Sequence, residues 1–172
     1  MVRKGILFIA VIFSLMGCGE DQVPLFEMKI ETSLDISPGS NTVETFYYPI
    51  LNVPTSFQAY AANLSEDDIG KIQAANCLIE GGFTNINYDF IEEIYINAID
   101  PEVPNVRQEI FYLEFNPIDN NNELQLFGSL INVKDIFIND LVHLEVRIRY
   151  RAPSPGIADN RITLSLFAFA EE

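Results

Sequence analysis

The pattern of apolar and polar residues along the chain predicts β-strands. Residues 26–36 alternate between apolar and polar side chains, with one polar exception at Thr32. Residues 141–152 alternate in the same way. The apolar positions of that stretch are Val142, Leu144, Val146, Ile148 and Tyr150. A two-residue repeat is typical of a strand that buries one face, so we predict a strand at each of the two stretches.

Six further stretches combine β-branched and aromatic residues with turn residues on either side. They are residues 42–53, 76–88, 91–98, 108–115, 123–127 and 161–170. Pro49 lies inside the first of them and cannot donate to a strand ladder, so we expect an edge strand or a bend there. Apolar residues occur on both faces of residues 108–115, which indicates a central strand.

A short helix is predicted between two of these strands. Ser65 can cap a helix, Asp68 follows three residues later, and the acidic residues there favour the positive end of a helix dipole. We expect the helix to continue to Ala75, with Ile69 and Ile72 on its buried side.

The number and spacing of the strands point to an all-β fold. About eight strands with one short helix predict a single antiparallel β-sandwich domain over residues 26–172, loosely immunoglobulin-like. Further helical turns are expected near residues 57–61 and within residues 129–139. The chain contains no Trp, so the Cys–Trp–Cys pattern of true immunoglobulin domains is missing.

The start of the chain is typical of an export signal. Arg3 and Lys4 precede an apolar run over residues 5–16. At about a dozen residues, this run is shorter than the roughly 20 that a transmembrane helix needs. It fits the apolar region of a cleaved signal peptide.

The residues that end this run, Leu15-Met16-Gly17-Cys18, resemble the lipobox of bacterial lipoproteins. The resemblance implies that residues 1–17 are removed, that Cys18 carries the lipid, and that residues 18–25 form an acylated tether to the membrane. An ordinary signal peptide with an incidental Cys and a retained transmembrane anchor are the alternatives.

The residues after Cys18 indicate where in the cell envelope the protein is expected. Gly19 is not the Asp that retains some lipoproteins at the inner membrane, and the pair Glu20-Asp21 is similar to the surface-export signal of many Bacteroidota lipoproteins. We therefore expect an outer-membrane protein that faces the cell surface, with the periplasmic face as the alternative. The rest of the chain resembles small uncharacterised β-sandwich lipoproteins of Bacteroidota, a resemblance that implies no functional residues.

Charge excludes some partners. The chain has 25 acidic and 10 basic residues, for a net charge of −15; without Arg3 and Lys4, 8 basic residues remain and the net charge is −17. Nucleic acids bind to basic surfaces, so we expect no nucleic-acid partner. The acidity is typical of a soluble extracellular domain, and the capture of cations or basic partners is the alternative.

The sequence indicates no catalytic or metal centre, and we expect no cofactor. His143 is the only His and has no serine-hydrolase motif near it, while Cys77 is left without an intrachain partner if Cys18 is lipidated. We expect Cys77 to be a buried thiol, with a reactive thiol as the alternative. Residues 66–68 and 119–123 are rich in oxygen ligands, which fits turns and caps, or alternatively calcium.

One strand face is basic, although the chain as a whole is acidic. His143, Arg147, Arg149 and Arg151 share the polar face of the predicted strand 141–152 and could bind an anionic ligand. The alternative is that the Arg residues pair with Glu or Asp across strands. Tyr47, Tyr48 and Tyr60 could stack on sugars, and core packing is the alternative for each.

These features favour a non-enzymatic binding or assembly module that is anchored at the outer membrane through Cys18. Its expected partner is a protein or a glycan. A structural accessory subunit of an envelope secretion, uptake or motility complex is the alternative. A small hydrolase with two carboxylates in one cleft is the enzyme that the sequence leaves open.

Overall fold

The computed structural model describes residues 22–82 and 86–171, and of Ala158 it describes the backbone alone. The predicted signal peptide, Cys18 and the start of the tether lie outside these residues. Within the described ranges, eight strands and two short helices follow one another. They are β1 (Phe26–Ile36), β2 (Thr45–Pro54), α1 (Phe57–Ala61), β3 (Ile69–Gly81), β4 (Ile91–Ile99), β5 (Arg107–Leu113), β6 (Glu123–Gly128), α2 (Lys134–Phe137), β7 (Leu141–Tyr150) and β8 (Ile157–Ala170).

The strands form one antiparallel sheet in the order β1-β8-β3-β6-β5-β4-β7-β2. The link between β5 and β6 is short, since only Phe111 pairs with Gly128 and Tyr112 with Phe127. β1 and β2 are at the two ends of this order, yet they lie close to each other. The sheet therefore closes around its core in a barrel-like way.

The all-β class and the eight antiparallel strands are confirmed. The two halves of the expected sandwich, β1-β8-β3-β6 and β5-β4-β7-β2, remain joined through the β5–β6 ladder, so they form one continuous sheet. Pro49 lies on β2, which is the last strand in the order, and the predicted edge strand is confirmed. The predicted central strand is confirmed as β5, which lies between β6 and β4.

The predicted helix over residues 65–75 is wrong. The backbone N–H and the hydroxyl of Ser65 do donate to Asp68 Oδ2, at 2.8 and 2.7 Å, but the helix that this cap begins is a single 3₁₀ turn, Glu66–Asp68. β3 starts at Ile69 and pairs with β8 along its length. The strand ladder and the burial of β3 outweigh the local helical preference.

Bulges in β3 explain the misleading pattern. The register with β8 shifts between Ile69 and Lys71, and again between Ala74 and Asn76. Each bulge adds one residue between two buried positions. Ile69 and Ile72 are thereby both buried at a spacing of three, which imitates a helix. The helical turns expected at residues 57–61 and within 129–139 are confirmed as α1 and α2.

The core is filled by the inner faces of the strands. The five apolar residues predicted to face inward on β7 are all buried, and so is the thiol of Cys77. Burial raises the pKa of the Cys77 thiol. The thiol is therefore kept neutral and packed, as predicted.

A buried amide closes the bulge between β1 and β8. Leu34 pairs with Asn160 and Ile36 with Ile157, so β8 carries one extra residue there. The side-chain Nδ2 of Asn160 donates to Leu34 O at 2.7 Å and to Ile157 O at 3.2 Å, and its Oδ1 accepts from the hydroxyl of Tyr88 at 2.7 Å. The side-chain amide thus donates hydrogen bonds to backbone carbonyl groups at the bulge, where the strand ladder is irregular.

Candidate functional site

The four residues of the predicted anionic-ligand face do not converge on one point. Arg147 and Arg149 line the same groove on the outer face of β7. His143 lies nearer the start of β7, and its Nδ1 accepts the backbone N–H of Asn52 at 3.0 Å. Arg151 follows the end of β7, where its guanidinium lies 5.5 Å from the centre of the Phe115 ring and donates to a backbone carbonyl.

The two arginines of the groove have carboxylate neighbours on β4 and β5. Arg149 lies 3.3 Å from Glu92 through Nε and 3.3 Å from Glu93 through Nη1. Arg147 Nη2 lies 3.8 Å from Glu109 Oε2. The cross-strand pairing that the sequence offered as the alternative is therefore present at both positions. The anionic-ligand role itself stays a prediction.

Strand register places an aromatic row across the same outer face. Tyr47 on β2 pairs with Arg147 on β7, Arg147 with Tyr95 on β4, Tyr95 with Tyr112 on β5, and Tyr112 with Phe127 on β6. We call Tyr47, Tyr95, Tyr112 and Phe127 the aromatic strip. Its two ends are open to solvent, since Tyr47 is 56% and Phe127 64% exposed.

Two neighbouring pairs in the row formed by the strip and Arg147 are in contact. The guanidinium of Arg147 lies over the Tyr95 ring, 4.1 Å from its centre. The ring centres of Tyr112 and Phe127 are 6.2 Å apart. Such contacts hold side chains on an open surface in defined positions, because cation–π and ring–ring contacts restrict rotamers at little cost in solvation.

Of the three tyrosines named from the sequence, Tyr47 lies on the strip. Tyr48 points to the other side of β2, where its hydroxyl lies 2.8 Å from that of Tyr150, and Tyr60 donates its hydroxyl to the carbonyl of Lys29. Tyr48 and Tyr60 therefore have the packing role that was their alternative. Tyr95, Tyr112 and Phe127 were not identified from the sequence. The alternation of apolar and polar residues indicates that their side chains face outward, but their alignment across the sheet depends on strand register.

Polar side chains border the strip on both sides. On one side Thr45 pairs with Arg149 and Arg149 with Glu93. On the other side Glu145 pairs with Asn97, whose Nδ2 donates to Glu145 Oε1 at 3.3 Å. The rings are thus set between rows of hydrogen-bonding groups and do not merge into a wide apolar patch.

A groove opens where the arginines turn away from β2. Arg147 leans toward Tyr95, and Arg149 toward Glu93, both on β4. The space beside Tyr47 is left open as a groove of about 240 Å³. It is lined by Thr45, Tyr47, Glu93, Tyr95, Arg147 and Arg149. The groove is smaller than sites that hold drug-sized ligands, so it fits a single small ring.

The arginine at the centre of the strip keeps its hydrogen-bonding capacity. The 3.8 Å separation from Glu109 is too long for a hydrogen bond. Within residues 22–82 and 86–171, Arg147 makes no hydrogen bond, so its five N–H donors can be used by a ligand.

Three carboxylates and one arginine act on the Tyr95 hydroxyl at the edge of the groove. Partial burial raises the pKa of the Tyr95 hydroxyl, the carboxylates of Glu93, Glu114 and Glu109 raise it further, and Arg147 lowers it. An acidic ligand would meet these carboxylates as well as the two guanidinium groups.

A second depression lies at one end of the sheet. It has a volume of about 410 Å³, and four carboxylates line it together with neutral residues: Glu66, Asp100, Glu102 and Asp140. In the oxygen-rich loop 119–123, Asn120 Oδ1 accepts from Asn87 Nδ2 at 3.2 Å. No cluster of three or more His, Cys, Asp or Glu within the described ranges is placed to hold a metal ion.

A scan against protein-family models gives no match to the chain, and a search of curated proteins finds no similar sequence. Within residues 22–82 and 86–171, no helix has the length and apolar character needed to cross a membrane.

Proposed function

We propose that this protein is a non-enzymatic, lipid-anchored binding module at the outer membrane, displayed on the cell surface. It engages its ligand through the outer face of β2, β7, β4 and β5. The observation that carries the proposal is the aromatic strip with its groove beside Tyr47. Exposed rings held in fixed positions on paired strands provide contact area at low entropic cost.

The surroundings of the titratable groups support binding over catalysis. The ring of His143 is held by the backbone N–H of Asn52, and the Cys77 thiol is buried with a raised pKa. Glu92 and Glu93, the carboxylates closest to Arg149, are engaged in ion pairs with it. None of these three arrangements joins an activated nucleophile to a base.

The anchor follows from the lipobox resemblance. Lipid on Cys18 would hold the domain at the membrane, and the tether of residues 18–25 would separate the two. Eight extended residues reach at most about 28 Å. This length lets the sheet stand clear of the lipid headgroups while it stays attached.

A structural accessory subunit of an envelope complex is the second candidate. Exposed apolar side chains in the segment that leads from β6 to α2 favour it: Leu130 is 85% and Ile131 42% exposed, close in sequence to Phe127. Exposed apolar groups of this kind mark protein–protein contacts when they form a continuous patch.

The test of the proposal uses the full chain in living cells. A photo-crosslinking amino acid replaces Thr45 in the groove or, as the matched control, Glu31 on the exposed face of β1. We expect adducts from position 45 and not from position 31. Equal labelling at both positions, or none at either, would contradict a binding role for this face.

Cys18→Ala tests the anchor in the same cells. We expect the wild type in the membrane fraction and open to protease added to intact cells, and the variant released from the membrane. A variant that remains in the membrane fraction would refute lipid attachment. A wild type that is cut only after the outer membrane is broken would place the domain in the periplasm.

A further inference from the structure

We propose that the aromatic strip and its groove bind one extended chain of a neutral carbohydrate, laid across β2, β7, β4 and β5. This inference rests on the proposed function, because it names the ligand class of the same face. It follows from the chemistry of the groove, the spacing of the rings, and the balance of charge around them.

The groove offers both kinds of surface that a sugar ring needs. A pyranose ring has a face of C–H groups and a rim of hydroxyl groups. Tyr47 presents an open aromatic face on one side of the groove, while Thr45 and Glu93 offer hydroxyl and carboxylate oxygens on the other sides. The aromatic ring can cover the C–H face as the polar groups meet the hydroxyls.

Arg147 adds N–H donors that no described residue uses. Its guanidinium is fixed over the Tyr95 ring and makes no hydrogen bond to the described residues. A planar group with five N–H donors can bind two neighbouring hydroxyl oxygens at once. Since the side chain is already held in place, little rotamer entropy is lost when a ligand binds.

The strip is long enough for several sugar rings. Neighbouring strands are about 4.8 Å apart, so Tyr47 and Tyr95 stand about 10 Å from each other, and Tyr112 stands one strand further. A pyranose ring in a polymer is about as long as one strand spacing. A chain that runs perpendicular to the strands therefore places successive rings over the groove, the stacked pair of Arg147 and Tyr95, and Tyr112.

The charges favour a neutral polymer. Two guanidinium groups at the groove are matched by Glu92, Glu93 and Glu109. Arg149 is shared between two carboxylates, and the whole chain has a net charge of −15. A polymer with a carboxylate or sulfate on each ring would be repelled by more groups than it would pair with.

The same pattern disfavours a protein as the occupant. The centre of a protein–protein interface is depleted of Glu and Asp. Here Glu93 and Glu145 border the row of rings. A protein partner would have to bury these charges, whereas a sugar chain can bind its hydroxyls to them.

Affinity electrophoresis of the full chain in detergent micelles tests the inference. The probes are soluble neutral polysaccharides (a β-1,4-glucan, an α-1,4-glucan, a xylan and a mannan), with polygalacturonate as the acidic comparison. We expect retardation by a neutral polymer, with little change between low and high salt. Retardation only by polygalacturonate, lost at high salt, would overturn the inference in favour of an anionic ligand.

Variants connect the retardation to the strip. Tyr47→Ala and Tyr95→Ala should each weaken binding about three- to tenfold, while Tyr47→Phe keeps the ring and should retain it. Phe169→Ala is the matched control, since Phe169 belongs to an aromatic pair on β8 in the other half of the sheet. Equal loss in the control would overturn the assignment of the site.

The carbohydrate inference and the proposed binding function can fail separately. If no neutral polymer binds but position 45 still yields specific adducts in cells, the carbohydrate inference is refuted and the binding module stands. If neither binding nor specific adducts are found, both fail.

Discussion

Replacement of Asn160 by Ala should destabilise the domain more than any change of similar size on its surface. The Asn160 side chain is fully buried and makes three hydrogen bonds: to the carbonyls of Leu34 and Ile157 and from the hydroxyl of Tyr88. The substitution removes the amide and leaves these groups in the core. It does not touch the outer face.

The expected cost follows from these groups. A buried polar group that loses its partner costs about 1–3 kcal/mol. With two carbonyls and one hydroxyl affected, and some relaxation toward other partners, we expect the free energy of unfolding to fall by about 3–5 kcal/mol. Because domains of this size are stable by about 5–15 kcal/mol, the variant would be close to unfolding.

Urea titration followed by circular dichroism measures this loss. With a slope of about 2 kcal/mol per molar urea, the midpoint should shift by about 2 M at an unchanged slope. Tyr88→Phe removes only the hydroxyl and should cost about 1–2 kcal/mol. In the double variant the two losses should add up to less than their sum. An Asn160→Ala cost below that of Tyr88→Phe would refute the role of the amide at the bulge.

Three further predictions concern the sheet and its outer face. Gly128→Ala would place a Cβ 2.2 Å from the carbonyl oxygen of Ala74 and should lower the melting temperature by several degrees, as scanning calorimetry would show; an unchanged value would contradict the close strand contact. Burial raises the pKa of the Tyr150 and Tyr88 hydroxyls in the folded protein, so as the pH rises these hydroxyls ionise in the unfolded chain before they ionise in the folded one. Ionisation then favours the unfolded chain, and the free energy of unfolding should fall as the pH rises above about 10. The decline should be shallower in Tyr150→Phe, and an equal decline would contradict it. Arg149→Glu should keep the fold and change the free energy of unfolding by under about 1 kcal/mol, with circular dichroism as the check, and an unfolded variant would contradict this.

Sequence patterns predicted strands best where one face is buried and the register is regular. β1 was predicted with its observed bounds, and the buried positions of β7 were all named in advance, since apolar and polar residues alternate throughout β7 and, apart from Thr32, throughout β1. β3 was misread because two bulges change its spacing, and a bulge is set by the pairing with β8, which local sequence does not contain.

The candidate site was only partly predictable for a related reason. Arg147, Arg149 and Tyr47 were identified because their own strands show which side chains face outward. Their alignment with Tyr95 and Tyr112 depends on β2, β7, β4 and β5 being neighbours in the sheet, and of these strands only β4 and β5 are consecutive in the chain. The direction in which each arginine leans, which opens the groove, depends on carboxylates of another strand.

The most direct test of the central claim is an NMR titration of the full chain, with ¹³C-labelled tyrosine rings, against each neutral hexasaccharide of the polymers named above. We predict that the ring signals of Tyr47, Tyr95 and Tyr112 shift with one of these ligands, while those of the buried Tyr88 and Tyr150 remain unchanged. Shifts confined to tyrosines off the strip, or no shift with any of the hexasaccharides, would contradict the assignment of this face as a carbohydrate-binding surface.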